Sequence, residues 1–362
     1  MDGLDANMTL AEWAEIFLKD YASVSCKPSA VEHYADNLYK HIIPEIGALS
    51  MKNISTADIQ TMLRNQEQHG NLRDSGRLSA KSLRNMRTVT SACFAQAVET
   101  GLISANPVTG TVVRKASKPK VDVMEEESLR RLRDYICTDG NLMNAGIILA
   151  AEFALRRGEI CALRWRDYDG IYLHIRETVK RLKVTGDPAP GELRTHLVFN
   201  SVKTDSSERD LAVSPANQEF LEAQRHRFKN IFGRETEPDD FIVYSSSGGL
   251  TDPDNLSHYF ADLLDGLGLP HVKLHALRHT FASRAIEMGV DIDSVSGILG
   301  HSNVTTTAYY YLRPRQRSMN DALWRISGSA SAVPNALPSV VRGREVGEHV
   351  HTRRKNFGIR TA

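Results

Sequence analysis

Cysteine is sparse in this chain, and its placement excludes two kinds of function. The four residues, Cys26, Cys93, Cys137 and Cys161, stand far apart with no C-x-x-C pair, so neither a zinc site nor a disulfide framework is indicated, and a reducing compartment fits. No apolar run approaches the roughly 18 residues of a membrane span. The longest candidate, 145–151, reads as core, and the first ten residues carry Asp2 and Asp5 rather than an apolar leader. Charge of one sign is missing as well. With 45 Lys and Arg against 44 Asp and Glu, the net charge of +1 gives no polyelectrolyte argument for nucleic acid or membrane. Any such case must come from local clusters. What remains is a cytoplasmic globular protein whose 362 residues suggest about two domains.

Apolar periodicity is helical from residue 9 to 107, with no useful strand alternation. Thr9 and Glu12 form a capping box before Leu10, Trp13, Phe17 and Leu18. A second helix carries Val31, Tyr34, Leu38 and Ile42 and is expected to end at Pro44 and Gly47, a third spans about 56–64, and a fourth spans 79–100. The fourth is expected to turn Leu83, Met86, Val89, Ala92 and Val98 inward. Arg77, Lys81, Arg84 and Arg87 fall on one face at its start, a basic stripe that alone reads as a solvated surface. Residues 111–121 hold Arg114, Lys115, Lys118 and Lys120 without an acid and read as a basic linker. A helix opening at Glu125-Glu126-Glu127, with Leu129, Leu132 and Ile136 inward, and one or two further helices within 142–164 follow. Short β-prone runs between 171 and 213 predict a small antiparallel sheet, and helices return at 215–232, 254–267, 276–288, 292–299 and 305–311. The fold class is therefore mainly α with a small antiparallel β-sheet (α+β). Beyond residue 326 the composition becomes Ser-, Pro- and Arg-rich, the pattern of a disordered basic tail.

Three segments concentrate cations and nucleophiles beyond the needs of a core. In ALRRGEICALRW, Glu159 lies three residues after Arg156 and could orient its guanidinium toward an oxyanion, although an ordinary intrahelical pair reads the same way. In LHALRHTFASRA, His275 and Arg278 share a helix face that suits a phosphate; either is as readily a packing partner. In LGHSNVTTTAYYY, His301 precedes Tyr309, Tyr310 and Tyr311, which are packing residues unless neighbouring cations favour an ionised hydroxyl.

Their order changes this balance. Arg156, Lys203, His275 with Arg278, His301 and Tyr310 follow one another as in the tyrosine recombinase (phage integrase) family, which the chain resembles over about residues 9–325. ALRRGE resembles the family's first arginine box, usually written GLRRGE, with Ala154 in the glycine position, where a helix is expected to hold alanine. VKTDSSERDLAV resembles its β-hairpin lysine segment and selects Lys203 over Lys180 and Lys183, because only Lys203 ends a V-K-T strand before a tight turn. HALRHTFAS resembles the H-x-L-R-H-T-F box. In the LGH box the nucleophile follows the histidine by nine positions, 310 − 301 = 9, which selects Tyr310. AVETGLISANPV resembles the end of the helical core-binding domain.

The resemblance implies an all-helical core-binding (SAM-like) domain at 1–110, the linker at 111–121, a catalytic domain at 122–326 and the tail at 327–362; the arm-site domain that many phage integrases carry is not expected, since the chain begins almost at the core-binding domain. It implies strand transfer through a 3′-phosphotyrosyl bond to Tyr310, without metal or other cofactor. Arg156 and Arg278 would stabilise the phosphate charge, Lys203 would protonate the leaving 5′-hydroxyl, His275 would move the tyrosine proton, His301 would hydrogen-bond the phosphate and Glu159 would support Arg156. Double-stranded DNA is the implied partner, with Arg77, Lys81, Arg84, Arg87, Arg114 and Lys115 as phosphate contacts, assembly to a tetramer at synapsis through the segment 312–324, and an excisionase-like directionality factor. Integration and excision of a mobile element is the favoured outcome. A topoisomerase IB or telomere resolvase relative, or a catalytically silent DNA-binding protein, are the competing readings; the LGH box opposes the first and the complete residue set the second.

Overall fold

The computed structural model describes residues 7–115, 121–183, 193–201 and 207–311, with the backbone alone for Tyr310 and Tyr311. Contacts divide the chain into Met1–Leu312 and Arg313–Ala362, and every described residue belongs to the first unit. The expected tail and the segment 312–324 lie outside the described residues.

Thr9 caps α1 (Leu10–Ile16) as its spacing to Glu12 predicts, the Thr9 N–H donating to the Glu12 carboxylate at 2.8 Å. The helical run begun by α2 (Pro28–Asn37) passes Pro44 and ends at Ile46, capped by Gly47, the second of its two expected stops. The chain widens into a π turn over Leu38–Ile42 and continues as Ile43–Ile46, a looser winding that accommodates a residue with no N–H to give. α3 (Thr56–His69) outruns its expected end by five residues and reaches Gly70, the first residue that ends it. α4 (Ala80–Glu99) buries Leu83, Met86 and Val89 as expected, then Cys93, Phe94 and Ala97, while Ala92 and Val98 are only half-buried. Steps of three drift around a 3.6-residue helix, and a step of four is needed to stay on the inward face. These helices share one apolar core built on Leu10, Trp13, Leu38, Ile42, Ile59 and Phe94, and the Trp13 indole N–H donates to the Cys93 carbonyl at 3.0 Å. Residues 111–113 dock on it: Gln60 bonds both polar backbone groups of Val112, and Arg87 Nε donates to Thr111 Oγ1 at 2.8 Å.

A second core spans α5 (Glu126–Thr138), α6 (Asn144–Glu152), α7 (Arg157–Ala162), α8 (Pro215–Phe232), α9 (Pro253–Gly266) and α10 (His275–Glu287) and includes Leu132, Ile147, Ile160, Leu221, Phe260 and Leu277. The expected single sheet is two antiparallel ladders, one nested in the other. β1 (Tyr172–Ile175) pairs with β4 (Arg209–Ala212), and β2 (Glu177–Lys183) pairs with β3 (Thr195–Ser201). Arg176 separates them, its Nη1 donating to the carbonyls of Ile175 and Arg209. α11 (Ile292–Leu299) and α12 (Val304–Tyr311) pack on each other and on α10. Between α6 and α11 a small cluster of Ala154, Ala282, Val295 and Leu299 underlies the site described next. Among the described residues no helix is long and apolar enough to cross a membrane.

Candidate active site

α6 ends at Glu152 and α7 starts after Arg156, so Ala154 does not sit in a helix as expected. It occupies a turn at φ 52°, fully buried. The left-handed region costs an L residue about 1–2 kcal/mol, which accounts for a glycine being usual in that motif. The turn aims the Ala154 carbonyl at Arg278, whose Nη1 donates to it at 2.6 Å. It also leaves Arg156 at the N-cap of α7, where the Glu159 carboxylate accepts from the Arg156 backbone N–H at 2.9 Å and from its Nη1 at 2.7 Å.

The C-terminus of α11 meets these arginines. α11 ends in a Schellman-type turn, with Gly300 left-handed at φ 59° and the His301 N–H donating to the Ser296 carbonyl at 3.1 Å. Helix ends leave carbonyls without partners, and the dipole makes them attractive to cations. Here three successive carbonyls each take a different arginine. Ile298 O accepts from Arg209 Nε at 2.8 Å, Leu299 O accepts from Arg278 Nη2, and Gly300 O accepts from Arg156 Nη2 at 2.8 Å. Arg278 is almost completely buried, and so is Arg209, whose Nη2 donates to Glu159 at 2.8 Å. Burial opposes ionisation of Glu159, but Arg209 and then Arg156 outweigh it and hold the carboxyl below its usual range.

His301 follows directly. Its Nδ1 lies 2.8 Å from Oγ1 of the buried Thr307. If the threonine hydroxyl donates, the neutral ring carries its proton at Nε2, away from Thr307. Partial burial and then the charges of Arg278 and Arg156 hold His301 down at about 4. His275, at the start of α10, keeps an open edge; the protein around its ring, then His279, Arg278 and Arg156, hold it at about 4 as well. The His275 and His279 rings lie edge to face, 4.7 Å between centroids. Tyr310 is in α12, three residues after Thr307, with its side chain outside the described residues, while Tyr309 is exposed.

A groove of about 690 Å³ opens beside Arg156 and His275, lined also by Arg157, Lys180, His271 and Lys273. Of the three lysines weighed from sequence, Lys180 faces this groove, Lys183 pairs with Asp36 at 2.9 Å, and Lys203 lies outside the described residues. The basic stripe is shorter than expected. Arg77 precedes α4, leaving Lys81 and Arg84 exposed on the helix and Arg87 half-buried against Thr111. Arg114 is ion-paired with Glu67 at 2.9 Å, and Lys115 is exposed. Among the described residues no group of three or more His, Cys, Asp or Glu is placed to hold a metal ion. The structure thus gathers Arg156, Glu159, Arg278 and His301 around one turn and sets His275 beside them. Arg209 and Thr307 were missed. The one sequence signal for Thr307 is its i, i+3 spacing to Tyr310, and nothing local marks Arg209, whose partners in the site, Glu159 and Ile298, lie 50 and 89 residues away.

Comparison with known proteins gives a consistent result. The family model described as "Phage integrase family" matches residues 122–317, and that for "Phage integrase, N-terminal SAM-like domain" matches 9–66. A tyrosine recombinase XerC-like protein of Caldanaerobacter subterraneus is 24% identical over 329 residues, covering 86% of this chain and 81% of its own. The ICEBs1 integrase of Bacillus subtilis is 25% identical over 307 residues, covering 83% and 78%. Among solved structures, the Tn1549 transposon integrase in complex with transposon right end DNA aligns with a TM-score of 0.69 at 19% identity, over 88% of this chain and 100% of that one. A lambda integrase tetramer bound to a Holliday junction aligns at 0.62 and 19%, over 86% and 80%.

Proposed function

Because the chain belongs to the phage integrase family of tyrosine recombinases, which break and rejoin DNA strands, we propose that it integrates and excises a mobile element at specific attachment sites. The observation that carries the reading is the convergence of Arg156, Arg278 and His301 on the turn at Leu299–His301, beside an open basic groove. Its resemblance to the integrases of ICEBs1 and of the Tn1549 transposon favours a mobile element.

In this reading the groove takes the phosphate backbone of double-stranded DNA, and Tyr310 attacks the scissile phosphorus. The new bond is a 3′-phosphotyrosyl ester and the broken one is P–O5′. His275, neutral at pH 7, accepts the tyrosine proton, while Lys203 gives a proton to the leaving 5′-oxygen. Arg156 and Arg278 stabilise the charge on the non-bridging oxygens, and the Nε2–H of His301 donates to one of them. The ester conserves the bond energy, so reversal by the 5′-hydroxyl of a partner strand completes exchange. Residues 1–110 and 122–326 act as the two halves of a clamp joined by 111–121. Arg77, Lys81, Arg84, Arg87, Arg114 and Lys115 contribute phosphate contacts, Arg114 on release from Glu67. Four protomers assemble at synapsis, an excisionase-like factor sets direction, and the protein works in the cytoplasm. Neutralising Arg77, Lys81 and Arg84 should flatten the salt dependence of DNA binding by about 0.9 in the log–log slope for each phosphate no longer neutralised, and an unchanged slope removes them from the interface.

The direct test is a nicked suicide duplex carrying the attachment site, incubated in EDTA with wild type and Tyr310→Phe. A covalent adduct from wild type alone is expected. No adduct on a site the protein binds would return the silent DNA-binding reading, and an adduct from Tyr310→Phe would move the nucleophile to a neighbouring tyrosine.

A further inference from the structure

Arg209 is a buried charge that the reaction above does not use. It stands at the start of β4, directly after the segment that contains Lys203, and its guanidinium makes three kinds of contact. Nη2 donates to Glu159 Oε2 at 2.8 Å, Nε to the Ile298 carbonyl at 2.8 Å, and Nη1 to the Ser207 carbonyl at 3.0 Å. Each joins a different part of the site. Glu159 is also the carboxylate that aligns Arg156, and Ile298 begins the run of carbonyls whose next two members hold Arg278 and Arg156. Stability alone is a poor reason for such a pair, since a buried ion pair is seldom better than a well-packed neutral one. Positioning is a better reason. Without Arg209, the buried Glu159 carboxylate would be left to Arg156 alone, and the guanidinium that should face the phosphate would be drawn down onto it.

On the recombinase reading, we infer that Arg209 is a positioning residue: by holding Glu159 and the last turn of α11, it sets the Arg156 guanidinium and His301 against the scissile phosphate. It touches neither DNA nor the reacting atoms. Its loss should therefore slow the chemical step and leave DNA affinity unchanged, and it should do so in part through Glu159.

The experiment is a double-mutant cycle on the full chain with Arg209→Gln, Glu159→Gln and the pair, plus Arg209→Lys. Single-turnover adduct formation on the suicide duplex, DNA affinity and thermal midpoint are read for each. Arg209→Gln should cut the adduct rate about a hundredfold, the scale of a misplaced catalytic group, at wild-type affinity. The pair should be slower by less than the product of the two single losses, and Arg209→Lys should recover part of the rate by restoring charge without the fork. Wild-type cleavage by Arg209→Gln, multiplying losses in the pair, or a rate loss that merely follows affinity or thermal midpoint would each overturn the inference. Should Arg209→Gln not fold, the pair, which buries no uncompensated charge, carries the test, and cleavage at the wild-type rate by it refutes the proposal. Absence of an adduct with wild type would count against the recombinase reading, a separate outcome.

Discussion

Gly300→Ala tests whether the turn after α11 is under the constraint that its geometry implies. Gly300 has φ 59° and ψ 49°, and a Cβ built there would lie 3.1 Å from Arg209 Nη1 and 3.3 Å from Ser207 Cα. The left-handed backbone costs alanine about 1–2 kcal/mol. Against this, alanine restricts the unfolded chain and recovers about 0.4–1 kcal/mol. The steric part cannot relax cheaply. Arg209 Nη1 is fixed by the Ser207 carbonyl, and the other neighbour is backbone, so overpacking adds about 1–2 kcal/mol. The net loss is about 1–3.6 kcal/mol, which for a unit of 312 residues lowers the midpoint by about 2–5 °C. Thermal and urea unfolding, followed through the buried Trp165, measure it, and Gly300→Asn should shed part of the backbone cost while keeping the steric one, because asparagine tolerates the left-handed region. Adduct formation should fall as well, since Gly300 O anchors Arg156. A Gly300→Ala protein within about 0.5 kcal/mol of wild type, the scale of an ordinary surface change, would refute the argument.

Ala154→Gly should be close to neutral. Release of about 1–2 kcal/mol of left-handed strain is offset by losing a buried methyl worth about 0.8 kcal/mol and by the freer unfolded chain, worth about 0.4–1 kcal/mol, so a loss of about 1.2 kcal/mol or more in urea unfolding would show that the strain is absent. Thr307→Val removes the hydroxyl beside His301 Nδ1; about 1 kcal/mol of stability should go, with slower adduct formation at unchanged DNA affinity, and an unchanged rate would show that the ring needs no such support. His275 and His301 titrate at about 4 against 6.5 for a free imidazole. Between those values only the unfolded chain takes up the protons, so the stability these two rings contribute is complete above 6.5 and falls as pH drops through that window. NMR titration of the rings is the check. Values near 6.5 in the free protein would contradict the crowding of cations described here, and an oxyanion bound in the site should raise both.

Element order was legible from sequence because helix caps and starts are local: Thr9 with Glu12, and Pro215 at the start of α8, act within a turn of themselves. Where local signals misled, a longer-range cause is visible. Pro44 failed to end a helix because a π turn absorbs it, and Ala154 is not helical because the chain must turn there to aim a carbonyl at Arg278.

The four boxes likewise identified the family and chose Arg156, Glu159, His275, Arg278 and His301, since residue type and spacing are properties of the sequence. Spacing alone also chose Tyr310, and the tertiary structure adds only that it lies on the helix that carries Thr307. What the sequence by itself could not determine is how these residues are held. Arg209 reaches Glu159 across 50 residues and Ile298 across 89, and three arginines from three segments converge on three adjacent carbonyls. Such pairings depend on where a helix ends in space relative to another, and no periodicity along the chain encodes that; only the folded arrangement of α7, β4, α10 and α11 decides it.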